Sequence, residues 1–149
     1  RRLITWVWHP LERVVSNYRH FLRSPDMRDE CCRQVHERGL GLREFADLDW
    51  MKNLATRYLA GKPLSDFAFV GISERFEESM QVFSQELGFR SVESIPRKNV
   101  NPDRREEHCC LCKGDRSYIL ERNAVDLEWY QQACRHLDSV GRLRSNRVA

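Results

Sequence analysis

A chain of 149 residues is long enough for one domain and for a core that buries roughly two thirds of the surface its unfolded form would expose. Hydrophobic residues make up 41% of it and charged residues 32%, which excludes a disordered chain, and no apolar run approaches the ~18–20 residues of a membrane span. The net charge of +3, from 25 basic and 22 acidic side chains with the arginines scattered, is too mild for a nucleic-acid partner.

The first element expected is a strand. Leu3-Ile4-Thr5-Trp6-Val7-Trp8 is a short, nearly unbroken apolar run that suits a strand buried on both faces, as in a parallel sheet. It starts almost at the first residue, with no charged, apolar and small-residue leader before it, so a missing upstream segment is expected. The run stops at His9-Pro10, and Pro10 suits the first turn of a helix, where a missing N–H costs nothing. Leu11, Val14, Val15, Tyr18 and Leu22 then recur at helical spacing until Ser24-Pro25-Asp26 ends the stripe. Residues 28–38 read as a short surface helix or a loop. A helical stretch follows from about Leu42 to Leu59, with a break near Asp47–Asp49, and Gly61-Lys62-Pro63 closes it.

Phe67 to Ile72 is a second apolar run of strand composition. Ser73 is placed to cap the next helix, and Glu74, Glu77 and Glu78 lie early in it, where its dipole favours negative charge. Ile72, Phe76, Met80, Phe83 and Leu87 are its expected buried stripe, with Gly88 as the stop. Residues 90–117 have little periodicity and many charges, and read as a long loop. The last helix runs from a cap at Asn123 through Leu127, Tyr130, Cys134 and Leu137 to Gly141, and residues 142–149 read as a frayed tail. With no repeat and no linker, residues 1–149 form a single, incomplete domain. Trp6, Trp50 and Trp129 read as packing residues.

The six cysteines are Cys31, Cys32, Cys109, Cys110, Cys112 and Cys134. Two adjacent pairs make an awkward disulfide framework, so they read as reduced thiols, which favours a cytoplasmic setting. His108-Cys109-Cys110-Leu111-Cys112 has zinc-ligand chemistry but poor spacing, because adjacent ligands rarely reach one tetrahedron and no second Cys-x-x-Cys follows. No metal is expected.

Four stretches carry a resemblance. Residues 8–21, Trp-His-Pro-Leu-Glu-Arg-Val-Val-Ser-Asn-Tyr-Arg-His-Phe, resemble the second cofactor-binding motif of the sulfotransferases that use 3′-phosphoadenosine-5′-phosphosulfate, in which a strand ends in Arg-Asp-Pro and the next helix carries Arg, Ser and Tyr. Asn53 to Gly61 resembles that family's helix ending in Thr-Arg-x-Leu-x-Gly. Val70-Gly71-Ile72-Ser73-Glu74-Arg75-Phe76-Glu77-Glu78-Ser79 matches its Val-Gly-x-x-Glu-Arg-Phe-x-x-Ser signature, and Asn123 to Tyr130 resembles its final Asn-x-x-Asp-x-x-x-Tyr helix. The four occur in family order and cover most of the chain, and the resemblance is to the carbohydrate sulfotransferases and their bacterial relatives.

The resemblance implies an α/β fold: helix-rich, with a small parallel sheet, a partial P-loop-kinase-like fold that lacks the N-terminal strand–loop–helix. It implies transfer of a sulfuryl group from the nucleotide co-substrate to a hydroxyl acceptor, a carbohydrate first of all, in the cytoplasm of a bacterium or in the Golgi lumen if the chain derives from a longer eukaryotic precursor. The family serine that holds the cofactor's 3′-phosphate maps onto Ser16, near a helix start whose free N–H groups favour an anion. Arg13, one turn earlier, either contributes or braces the turn through an ion pair. Arg97 and Lys98, in Pro96-Arg97-Lys98-Asn99, stand where family members bring a loop over the cofactor, and otherwise read as a solvated charge run.

There are two departures. Trp8 stands where the phosphate-binding Arg belongs, and His9 where the Asp belongs; losing one charge-assisted contact costs on the order of 1.5–3 kcal/mol, or one to two decades in affinity. The family's loop around the 5′-phosphosulfate has no counterpart, since Gly61-Lys62 lacks a partner Gly and is followed by Pro63. No useful turnover is therefore expected from this chain alone, and neither His9 nor His20 is named as a base. The alternatives are a non-catalytic binding module that keeps part of the fold, and a small zinc protein built on the cysteines.

Overall fold

Two short strands lie side by side and parallel in the computed structural model, which describes residues 3–24, 26–86, 88 and 111–145 (141–145 by backbone alone). Strand β1 is Leu3–Val7 and β2 is Phe67–Ile72. Trp6 pairs with Gly71 and Val7 with Ile72, and an irregularity falls between Leu3 and Ile4. Parallel strands need a long crossover. Here it is made of helices α1 (Pro10–Arg23), α2 (Glu30–Arg38), α3 (Leu42–Ala46) and α4 (Leu54–Tyr58). After β2 come α5 (Phe76–Glu86), α6 (Lys113–Arg122) and α7 (Ala124–Ser145). The protein is a helix-rich α/β chain with a small parallel sheet.

Two cores result. Leu11, Val14 and Val15 of α1 pack with Val35, Phe45, Ala46, Met51 and Ile119 in a helical core. Val7, Phe69, Val70 and Ile72 of the sheet pack with Val82 of α5 and with Ala133 and Leu137 of α7. No helix among the described residues is long and apolar enough to cross a membrane.

Several expectations are corrected. β1 is not buried on both faces: Leu3 and Ile4 are exposed and only Val7 is sealed, since among the described residues β1 pairs with β2 alone. Helix α5 opens at Phe76, after a 3₁₀ turn over Ser73–Arg75, so Ser73 does not begin it. The buried positions within α5 are Ser79, Val82 and Ser84; of the expected stripe, Ile72 is buried, Phe83 is partly buried against the sheet core, and Phe76 is exposed. The stretch 90–117 is not all loop, because α6 starts at Lys113, with the Cys112 sulfur accepting a hydrogen bond from Asp115 N–H at 3.3 Å. The tail is shorter than expected, with α7 reaching Ser145. Of the two readings of residues 28–38, the helix holds over Glu30–Arg38, where Asp29 caps the amides of Cys31 and Cys32.

Candidate functional site

Because β1 and β2 run in the same direction, the turns after Val7 and Ile72 share one edge of the sheet. Open α/β sheets carry their ligands at this carboxyl edge. The two turns are joined there by Glu74. Its Oε1 accepts a hydrogen bond from the backbone N–H of His9 at 2.8 Å, and its Oε2 accepts one from the Tyr130 hydroxyl at 3.3 Å. The His9 ring stands edge-on to Tyr130, with centroids 5.1 Å apart. His9 Nδ1 is buried without a hydrogen-bond partner among the described residues. Burial lowers the His9 pKa, against an upward pull from Glu74 and Glu12. Burial also raises the Tyr130 hydroxyl, helped by the charge of Glu74, and raises the Cys134 thiol one helical turn further along α7. Neither Tyr130 nor Cys134 is set up to lose its proton near neutral pH.

A second cluster lies one turn along α1. Arg13 is buried, and its Nη2 donates to Asp126 Oδ2 at 3.1 Å, to Asn123 Oδ1 at 3.0 Å and to the Met51 carbonyl at 3.4 Å. Asp126 also accepts from the amides of Ala55 and Thr56 (3.0 and 2.8 Å) and from the Thr56 hydroxyl (2.5 Å), so one carboxylate neutralises Arg13 and satisfies the start of α4. Asn53, with a left-handed φ of 47° that Asn tolerates, closes the cluster: its N–H donates to Asn123 Oδ1 and its Oδ1 accepts from Asp126 N–H. Burial pulls the Arg13 pKa down, and Asp126 opposes it. The charge stays because its partner is fixed in place by three other donors.

Of the expected site residues, only Ser16 and Arg13 lie among the described residues. Ser16 is half-buried, six residues past Pro10 and thus about 9 Å along the axis, beyond the first turn where a helix dipole acts most strongly. No hydrogen bond from its hydroxyl is seen among the described residues. Arg13 lies inward and is engaged by Asp126 and Asn123, so it braces α1 against α4 and α7. Arg97 and Lys98 lie outside the described residues, as do His108, Cys109 and Cys110. Cys112 serves as the cap of α6, and the described residues contain no group of three His, Cys, Asp or Glu side chains able to hold a metal.

Sequence reasoning passed over Glu74 and Tyr130. Glu74 read as a dipole-favoured residue of α5, although a carboxylate in the turn directly after a strand was a signal that it sits at the sheet edge. Tyr130 was legible as a stripe position of α7 and as the end of the Asn-x-x-Asp-x-x-x-Tyr likeness, but nothing local marks its contact with Glu74. No family model matches the chain, and no curated protein or solved structure matches it.

Proposed function

We propose that this chain is the C-terminal part of a P-loop-kinase-like sulfotransferase domain that binds the 3′-phosphoadenosine half of 3′-phosphoadenosine-5′-phosphosulfate at the carboxyl edge of its sheet. Ser16 and the turn into α1 take the 3′-phosphate, Arg97 and Lys98 are further nucleotide contacts on the strength of the resemblance alone, and the acceptor is a hydroxyl compound, a carbohydrate first of all. Arg13 holds α1 in place rather than touching the ligand. A segment outside this chain supplies the loop around the 5′-phosphosulfate, so the chain alone binds without turnover.

The support is where the four stretches of the resemblance sit. Arg13, Asn53, Thr56, Asn123 and Asp126, drawn from three of them, form one hydrogen-bonded cluster. Glu74, from the remaining stretch, bonds to residues of two of the others, His9 and Tyr130. Residues selected only for their likeness to motifs far apart in sequence thus meet around the first turns of α1.

Calorimetric titration with adenosine 3′,5′-bisphosphate tests the reading. Saturable binding is expected, weakened about ten- to a hundredfold by Ser16→Ala, the worth of one hydrogen bond to a charged group. Binding that Ser16→Ala leaves untouched would remove Ser16 from the site. A non-catalytic interaction module is the second reading, favoured by the carboxylate seated on His9 N–H and by Trp8 in the place of the phosphate-binding Arg. No binding at millimolar nucleotide is the result that selects it.

A further inference from the structure

The strand–helix turn at the start of α1 already holds an anion. Pro10 has no N–H, and the amides of Leu11 and Glu12 belong to the first turn, which has no intrahelical acceptors. The His9 N–H beside them is occupied by Glu74, a residue 65 positions away in sequence. This is not local capping, since the carboxylate is delivered by the turn after β2 and held from the far side by Tyr130 of α7. Both of its oxygens are engaged by groups on other elements.

We propose that Glu74 is an intramolecular stand-in for the ligand's phosphate, a self-inhibiting contact that an incoming phosphate has to displace. The proposal rests on the reading of this edge as a phosphate site. Its independent basis is that a carboxylate occupies the position, and that its two bonds come from a backbone N–H and a hydroxyl, donors that suit a phosphate oxygen equally well. Among the described residues, Arg13 and Arg75 do not offset the repulsion. Glu12 adds a second negative field at His9, Arg13 is spent on Asp126, and Arg75, next in sequence to Glu74, is bound to Glu78 and Asp138 at 2.5 and 2.6 Å. A carboxylate and a phosphate sharing one turn near a protein surface repel by an amount worth about ten- to a hundredfold in affinity.

Glu74→Gln tests this, because an amide can keep a hydrogen bond with His9 N–H and another with the Tyr130 hydroxyl while losing the charge. Adenosine 3′,5′-bisphosphate is titrated into the full chain, into Glu74→Gln and into the Glu74→Gln/Ser16→Ala double variant. The expectation is binding at least about tenfold tighter in Glu74→Gln than in the unaltered chain, with the gain lost in the double variant. Binding by the unaltered chain with no gain in Glu74→Gln overturns the stand-in and leaves the nucleotide reading intact. Weaker binding in Glu74→Gln also overturns it, by making Glu74 a ligand contact. No binding by either protein overturns both. Tyr130→Phe keeps the charge but frees one carboxylate oxygen, and should give a smaller gain. Should Glu74→Gln fail to fold, that variant decides the matter, and an unchanged affinity in it sinks the proposal.

Discussion

At Gly71 the choice of residue is steric. The indole of its register partner Trp6 lies so close that a Cβ on Gly71 would fall 2.3 Å from Nε1 and 2.6 Å from Cε2. The ring cannot easily move, because Phe69 and Phe83 flank it with centroids 5.4 and 5.5 Å away. Gly71→Ala should therefore cost about 1–3 kcal/mol, the usual penalty of overpacking. Urea unfolding checks this, and the double variant Trp6→Leu/Gly71→Ala should be less destabilised than the sum of the two single changes. Additive losses would mean that the two residues do not clash. The indole N–H is itself buried without a partner among the described residues, at a cost of about 1–3 kcal/mol that the aromatic packing has to exceed. In sequence this glycine is only one letter of a motif. The reason for it lies 65 residues away, in the strand beside it.

At the scale of elements, the junction of β1 with α1 should be sensitive to acid. His9 is the residue on which the strand ends and the helix begins, and burial in the fold disfavours its imidazolium more than Glu74 and Glu12 favour it. Its pKa is lower folded than unfolded, so the unfolded chain binds the proton more readily and stability rises with pH across that window. The stabilisation is complete above the ordinary value of 6.5 and is lost as the pH falls through the depressed folded value. Thermal unfolding followed from pH 7.5 to about 5 should show this loss, and His9→Gln should flatten it. An undiminished slope in the variant would assign the effect elsewhere. Both strand–turn–helix units were legible in the sequence, because a buried strand and an amphipathic helix each leave a periodic mark. Helix α6 left none. Its apolar residues Tyr118, Ile119 and Leu120 are consecutive, only Ile119 is fully buried, and Tyr118 is held instead between the guanidinium groups of Arg43 and Arg122, with its hydroxyl on Asp47. Arg122 is a neighbour on the same helix, but Arg43 and Asp47 come from α3 and its end, and those contacts have no local signature.

For the molecule as a whole, α7 is the connecting element. Asp126, Tyr130, Cys134 and Asp138 recur every four residues on it, and three of them bond outward, to Arg13 and Thr56, to Glu74, and to Arg75. This polar stripe runs along a helix whose Ala133 and Leu137 line the sheet core, so the helical core and the sheet core are tied through one element. Asp126→Ala would leave Arg13 charged and buried and would release the start of α4. The expected cost is about 3–5 kcal/mol, a large share of a typical domain stability of about 5–15 kcal/mol. The measurement is urea unfolding followed by tryptophan fluorescence and circular dichroism together. A loss below about 1 kcal/mol would contradict a buried pair, since exposed pairs are worth no more than that. By itself the sequence determined the two strand–turn–helix units, because hydrophobic spacing and turn chemistry act over a few neighbouring residues, while the helix-rich α/β class and the motif residues were expected from a resemblance. Only the tertiary structure decided what those residues do: that Arg13 faces Asp126, that Glu74 reaches His9, that Ser16 stands two turns from the helix start, and that Phe76 is exposed. Each of these depends on where a second element lies and how it is turned, and that is set by the packing of the entire chain.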